Sequence, residues 1–193
     1  MSKDKARREL GIRDERVILF FGYVRRYKGL HLLLDAMPAI LKSINVKLLV
    51  VGEFYDDEQK YRRQIEEKKL ADHVLVHSDY VPNEEVSRYF SAADVVVLPY
   101  VSATQSGIVQ IAYQFDKPVI ATDVGGLAEV VLNERTGFIV KPEAPEEVAK
   151  AVVRFYEEGR EAEFVRNVNA EKKKYSWENL VQAIERLTAA QKS

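Results

Sequence analysis

The chain has 193 residues, 47% hydrophobic and 31% charged, with a formal net charge of −1. That is enough apolar material for a sizeable core, and so even a charge balance excludes recognition of a nucleic acid or an anionic membrane surface through bulk charge, leaving only local attraction to anions. There is no cysteine, which excludes disulfides, thiolate metal sites and cysteine nucleophiles and fits a reducing compartment.

The charged start "MSKDKARREL" lacks an apolar h-region, and no apolar run nears the roughly 18 residues of a membrane span, so the chain reads as soluble and cytoplasmic. "KARRELGI" reads as a short charged helix, a linker within residues 1–14. From 15 to 142, short apolar or β-branched runs recur: Val17 to Phe21, Val46 to Val51, Val74 to His77, Val95 to Leu98, Pro118 to Ala121 and Phe138 to Val140. Each is too short for a helix, and most read as strands buried on both faces. Helical patterns lie between them. Leu30, Leu33, Leu34, Met37, Leu41 and Ile44 recur at three- and four-residue steps, with Pro38 expected as a local kink. "DDEQKYRRQIEEKK" begins acidic and ends basic, as the helix dipole prefers. Asn83 is expected to cap "PNEEVSRYFSAA". Alternating strands and helices predict right-handed crossovers and a doubly wound α/β parallel sheet of about six strands. From 143 to 193, three successive helices are expected without a strand, the last capped by Ser176 and carrying a stripe of Leu180, Ile184 and Leu187 that needs a partner surface.

In such a sheet, ligands sit beyond the carboxyl ends of the strands, where loops run into helix starts. The loop in "FFGYVRRYKGL" is one. Gly22 permits a turn after the strand, Gly29 opens the next helix, and Arg25, Arg26 and Lys28 add charge there. A diphosphate suits that loop, although three cations on a surface loop are also compatible with simple solvation. The order Lys-Gly and the lack of G-x-G-x-x-G exclude a P-loop and a nicotinamide site. A second loop, "VSATQSGIVQ", crowds Thr104, Gln105, Ser106 and Gly107 where a helix begins, either as a hydrogen-bonding rim or as a plain N-cap. Gly52 and the Gly125-Gly126 pair mark two more loops at the same edge. Catalytic groups are scarce. His31, His73 and His77 lack a zinc spacing and read as structural, Asp56-Asp57 reads as a helix cap, Asp94 as orienting a strand, and no nucleophile elbow occurs. No metal or cofactor is expected.

Six stretches in register, "ILFFGYVRRYKGLHLLLDA", "KLLVVGE", "SDYVPNEEVSRYFSAADVVVLPY", "QSGIVQIAYQFDKPVIATDVGGLAEVV", "TGFIV" and "YSWENLVQAI", resemble the C-terminal, donor-binding half of a retaining glycosyltransferase with two Rossmann-like domains (GT-B type, group 1 or family 4). The resemblance covers roughly Leu10 to Leu187 and implies one nucleotide-sugar-binding domain. It implies that Lys28, with Arg25, grips the diphosphate of a sugar nucleotide and stabilises it as leaving group, since the family's usual arginine after the glycine is replaced by Tyr23. Further donor contacts are implied for Gly22, Tyr23, Arg26, Gly52, Tyr80, Val81, Thr104, Gln105, Ser106, Gly107 and Gln110, with the base near Gly52 and Tyr80-Val81, the sugar at Gln105 and the ribose at Gln110. The family's pair of glutamates is absent; Thr104 or Gln105 and Ile111 or Ala112 stand in their places. The implied partners are a nucleotide-sugar donor and an N-terminal acceptor domain, through which any peripheral membrane association would run, and no nucleic acid. The implied activity is hexose transfer with retention, absent from this half alone. Two alternatives stay open: a noncatalytic interaction subunit that has lost donor binding, and a sugar-nucleotide epimerase of the same architecture, which would need acidic and histidine groups in the cleft.

Overall fold

The computed structural model describes residues 1–175 and residue 181; the expected Ser176 cap and the Leu180, Ile184 and Leu187 stripe lie outside the described residues. Among the described residues six strands, β1 (Arg16–Phe21), β2 (Val46–Val51), β3 (Val74–His77), β4 (Val95–Leu98), β5 (Val119–Thr122) and β6 (Gly137–Val140), form one sheet in the order β3-β2-β1-β4-β5-β6. Every pairing is parallel. The register runs from Arg16 opposite Val46 to Phe21 opposite Val51, so both strands end at a glycine on one edge. The doubly wound sheet expected from the strand and helix alternation is therefore what forms.

The helices are α1 (Lys3–Glu9), α2 (Leu30–Ser43), α3 (Glu58–Glu67), α4 (Asn83–Ala92), α5 (Gly107–Gln114), α6 (Leu127–Val130), α7 (Pro145–Glu157) and α8 (Glu161–Glu171), with 3₁₀ turns at Arg26–Lys28 and Lys172–Tyr175. Side chains on a strand alternate between faces. Ile18 and Phe20 accordingly pack with Leu33, Leu34, Met37, Val152 and Phe155 of α2 and α7. Val17, Leu19 and Phe21 pack with Phe90 and Tyr113 of α4 and α5. Burial on both faces explains why the strands read as continuous apolar runs.

α2 runs on through Pro38, and one local expectation changes. Asn83 is the first helical residue of α4 rather than its cap; Pro82 occupies the cap position, and no side-chain bond caps the helix. Proline's fixed φ gives the extended entry at 82 by itself. Asp57 does cap α3, accepting the Gln59 amide at 3.1 Å.

At the opposite edge, Asp94 is 4% exposed and accepts hydrogen bonds from the Val17 amide at 2.7 Å, the Arg7 guanidinium at 2.9 and 3.0 Å and the Tyr156 hydroxyl at 3.2 Å, and it also pairs with Lys3. A buried carboxylate held by several donors ties α1, β1 and α7 together.

Candidate functional site

The strand order reverses between β1 and β4, and the loops leaving these two strands diverge to opposite faces, opening a crevice. Gly29 fixes their approach. It sits at φ +71°, and a Cβ there would lie 1.8 Å from the Pro99 carbonyl oxygen. Only a glycine permits both the left-handed backbone and that contact. The Val101 amide donates to the Tyr27 carbonyl at 2.7 Å, and the Thr122 hydroxyl donates to the Tyr100 carbonyl at 2.6 Å. Gly52, at φ +133°, packs so closely that its Cβ would lie 2.5 Å from the Gly22 carbonyl oxygen. The Gly126 amide donates to the Thr104 carbonyl at 2.8 Å. Four loops from distant parts of the chain thus meet at one edge through backbone contacts.

Two joined cavities lie there. The larger, about 620 Å³, is lined by Tyr27, Lys28, Tyr100, the residues 102–107, Ile108 and Ile111. The smaller, about 330 Å³, includes Gly22, Tyr23, Gly52, Glu53, Tyr80, Val81 and Asn83, and shares Lys28, Ile108 and Ile111 with the first. Lys28 stands where they join. It is 9% exposed, has no carboxylate partner among the described residues, and lies beside the Tyr100 ring at 5.8 Å. Its Nζ is 3.1 Å from the place a Cβ on Gly22 would take. Burial, and then the positive charge of Arg25, hold its ammonium below the ordinary 10.5. A buried, unpaired cation is costly, and an anion in the cavity offsets that cost.

Opposite Lys28 is the start of α5. Ser106 takes the cap position in an extended conformation, yet its side chain caps nothing; its hydroxyl meets the Tyr100 hydroxyl at 3.3 Å. The first amides of the helix are therefore left to the cavity, together with the positive end of the helix dipole. Nothing lies within 4 Å of a Cβ placed on Gly107, so the space before these amides is open. Burial raises the Tyr100 hydroxyl to about 12, keeping it a neutral hydrogen-bonding group.

Of the residues expected to act together, Lys28, Thr104, Gln105, Ser106 and Gly107 line one cavity, and Gly22, Tyr23, Gly52, Tyr80 and Val81 line the other with Lys28. Arg25 and Arg26 line neither. They border a separate cavity, and the Arg25 guanidinium lies over the Tyr55 ring at 4.7 Å, a cation–π contact. Gln110 also lines neither cavity and is exposed, because helical periodicity puts Ile108 and Ile111 on the cavity face of α5 and rotates Gln110 off it. Of the two positions considered for the absent second glutamate, Ile111 faces the cavities and Ala112 is buried. Tyr27, Tyr100, Glu53 and Asn83 are not expected at the site from sequence; counting three residues on from Ile108 finds Ile111, but no local signal distinguishes Tyr27 from its neighbours. Among the described residues no group of three or more His, Asp or Glu is placed to hold a metal ion, and no helix is long and apolar enough to cross a membrane.

The family described as Glycosyl transferases group 1 matches residues 15–158. Over 178 residues the chain is 33% identical to an uncharacterized glycosyltransferase of Methanocaldococcus jannaschii, a match covering 90% of this chain and 45% of that protein. Sucrose-phosphate synthase from Thermosynechococcus elongatus is similar in structure, with a TM-score of 0.79 and 28% identity over 97% of this chain and 49% of that one. HepE of Anabaena in complex with UDP has a TM-score of 0.85 at 23% identity, covering 97% of this chain and 52% of that one, a likeness of fold. The chain spans about half, or less, of the length of the curated relatives it matches.

Proposed function

This chain belongs to the group 1 glycosyl transferases, and we propose that it is the donor-binding half of a retaining enzyme with two Rossmann-like domains, taking a hexose from a nucleoside diphosphate sugar. The observation that carries this reading is the placement of Lys28 and the open start of α5 on one cavity at the switch point. The base and ribose occupy the smaller cavity beside Gly52, Tyr80 and Val81, the diphosphate lies between Lys28 and the Ser106-Gly107 amides, and the sugar faces Thr104 and Gln105. HepE, solved with UDP and with UDP-glucose, supports a uridine or similar nucleotide as the class of donor.

Chemically, transfer breaks the bond between the anomeric carbon and the diphosphate oxygen, and the electron pair leaves with the phosphate. Negative charge therefore grows on the oxygen nearest Lys28 and the amides. Donors already in place stabilise that charge without reorganising, usually a large part of a rate enhancement. The acceptor oxygen forms the new bond on the face the phosphate leaves, which retains configuration, and its proton goes to the departing phosphate. A second domain completes the acceptor site and supplies any further acid or base, so this half alone binds donor and transfers no sugar. No metal takes part in this scheme, and the setting is the cytoplasm.

Titration calorimetry with UDP, GDP and ADP, against free uridine, tests the reading. Binding of a diphosphate but not of the nucleoside supports it; no binding by any diphosphate at millimolar concentration refutes it. A second reading has one specific observation behind it: Ile111, one of the two residues near the place where the resemblance implies a glutamate, lines the cavity. A noncatalytic subunit would keep the fold and show no nucleotide affinity in the same titration.

A further inference from the structure

Arg25 and Arg26, with Tyr27, His31, Asp56 and Glu143, line a third cavity of about 500 Å³. Tyr27 also lines the 620 Å³ cavity, so the two spaces share that residue as a wall. Arg25, Arg26, Asp56 and Glu143 are exposed, and His31 is half-buried. Among the described residues neither guanidinium has a carboxylate within ion-pair distance; Arg25 meets only the Tyr55 ring. Glu143 has no cation partner there, and Asp56 accepts only a long bond of 3.4 Å from the Tyr61 hydroxyl. His31 Nδ1 is buried and has no hydrogen-bond partner. Buried polar atoms are nearly always paired, and one left over at a cavity points to a missing polar ligand or water.

We infer that this cavity is an acceptor-side subsite for an anionic saccharide, a sugar carrying a phosphate or a carboxylate. A bare anion leaves Asp56 and Glu143 unexplained, because they repel it. A neutral sugar leaves two unpaired arginines unexplained. A molecule with both an anionic group and hydroxyls satisfies both sets: guanidinium forks take the anion, and carboxylates accept the ring hydroxyl hydrogens. The Tyr27 ring offers the apolar surface that sugar C–H groups pack against. From this position a ligand reaches past Tyr27 toward the cavity assigned to the donor sugar. Only the word acceptor rests on the donor reading; the ligand chemistry stands on these side chains alone.

The whole chain is titrated with glucose 6-phosphate, glucuronate and glucose, each without and with saturating UDP. At least one anionic sugar is expected to bind whether or not UDP is present, with glucose far weaker; comparing the first two separates phosphate from carboxylate recognition. Arg26→Ala is expected to weaken the anionic sugar at least about ten-fold more than it weakens UDP, as loss of a charged hydrogen bond does. His31→Ala, checked for an unchanged melting temperature, is expected to act in the same direction. The inference is overturned if neither anionic sugar binds at millimolar concentration, if glucose binds as well, if UDP displaces the anionic sugars, or if Arg26→Ala weakens both ligands equally. UDP binding without anionic-sugar binding sinks this subsite and spares the donor reading; the converse sinks the donor reading and spares the subsite.

Discussion

Replacing Lys28 by methionine separates what this side chain does for binding from what it does for folding. The thioether keeps the length and apolar packing of the lysine stem and removes the ammonium. In the folded chain Lys28 is 9% exposed and its ammonium faces no carboxylate among the described residues, so burying it works against folding. Lys28→Met is therefore expected to leave stability unchanged or raise it by up to about 1 kcal/mol, a rise in Tm of about 2–4 °C at this size. Binding moves the other way. A hydrogen bond to a charged group contributes about 1.5–3 kcal/mol, which corresponds to a loss of roughly 12- to 140-fold in affinity for a nucleoside diphosphate. The free nucleoside has no diphosphate to lose and should be nearly unaffected. Differential scanning calorimetry and titration calorimetry on the same preparation read both quantities. Equal losses for nucleoside and diphosphate would show that Lys28 is not the phosphate grip. A fall in Tm of several degrees would show that the ammonium has a structural partner.

Diphosphate affinity should decline as pH rises through the lowered range of Lys28, below the ordinary 10.5, because only the ammonium binds phosphate. Bound anion raises that range again, so binding should take up protons in alkaline buffer, and Lys28→Met should show neither effect; calorimetry in buffers of different ionisation enthalpy measures the uptake. On the side of folding the sign is opposite: the unfolded chain keeps this proton to higher pH, so this group's contribution to stability grows as pH rises across the same window. Gly29→Ala should cost at least about 3 kcal/mol in urea unfolding, since it combines a left-handed backbone with overlap on the Pro99 carbonyl. Gly107→Ala meets no atom within 4 Å and should leave stability within about 1 kcal/mol, while its methyl narrows the cavity and weakens the diphosphate more than the nucleoside. Asp94→Ala removes the acceptor shared by the Val17 amide, Arg7 and Tyr156 and should cost about 3–5 kcal/mol in the same unfolding assay, with nucleotide affinity unchanged because it lies at the other edge of the sheet.

The strands and most helices are legible in the sequence because each is encoded by neighbours in the chain. Runs such as Val46 to Val51 are apolar on both faces, and the leucines between Leu30 and Leu41 repeat at the helical period. Strand and helix in alternation then leave few topologies open, which fixes the parallel sheet and the edge where the loops gather. Lys28, Ser106 and Gly107 could be placed at that edge because each stands directly at the end of a loop, where a helix starts. Arg25 could not. Its direction is set by a ring at Tyr55, which belongs to the loop after a different strand and comes near only when Gly52 packs on Gly22. The burial of Lys28 was equally hidden: a lysine in a glycine-flanked loop reads as solvated, and becomes a nearly enclosed, unpaired charge only once Tyr100 and Ile108 arrive from beyond β4. Periodicity and turn chemistry act over a few residues and are written in order along the chain. The surroundings of a charge depend on which loops meet, and that is decided when the sheet closes its register.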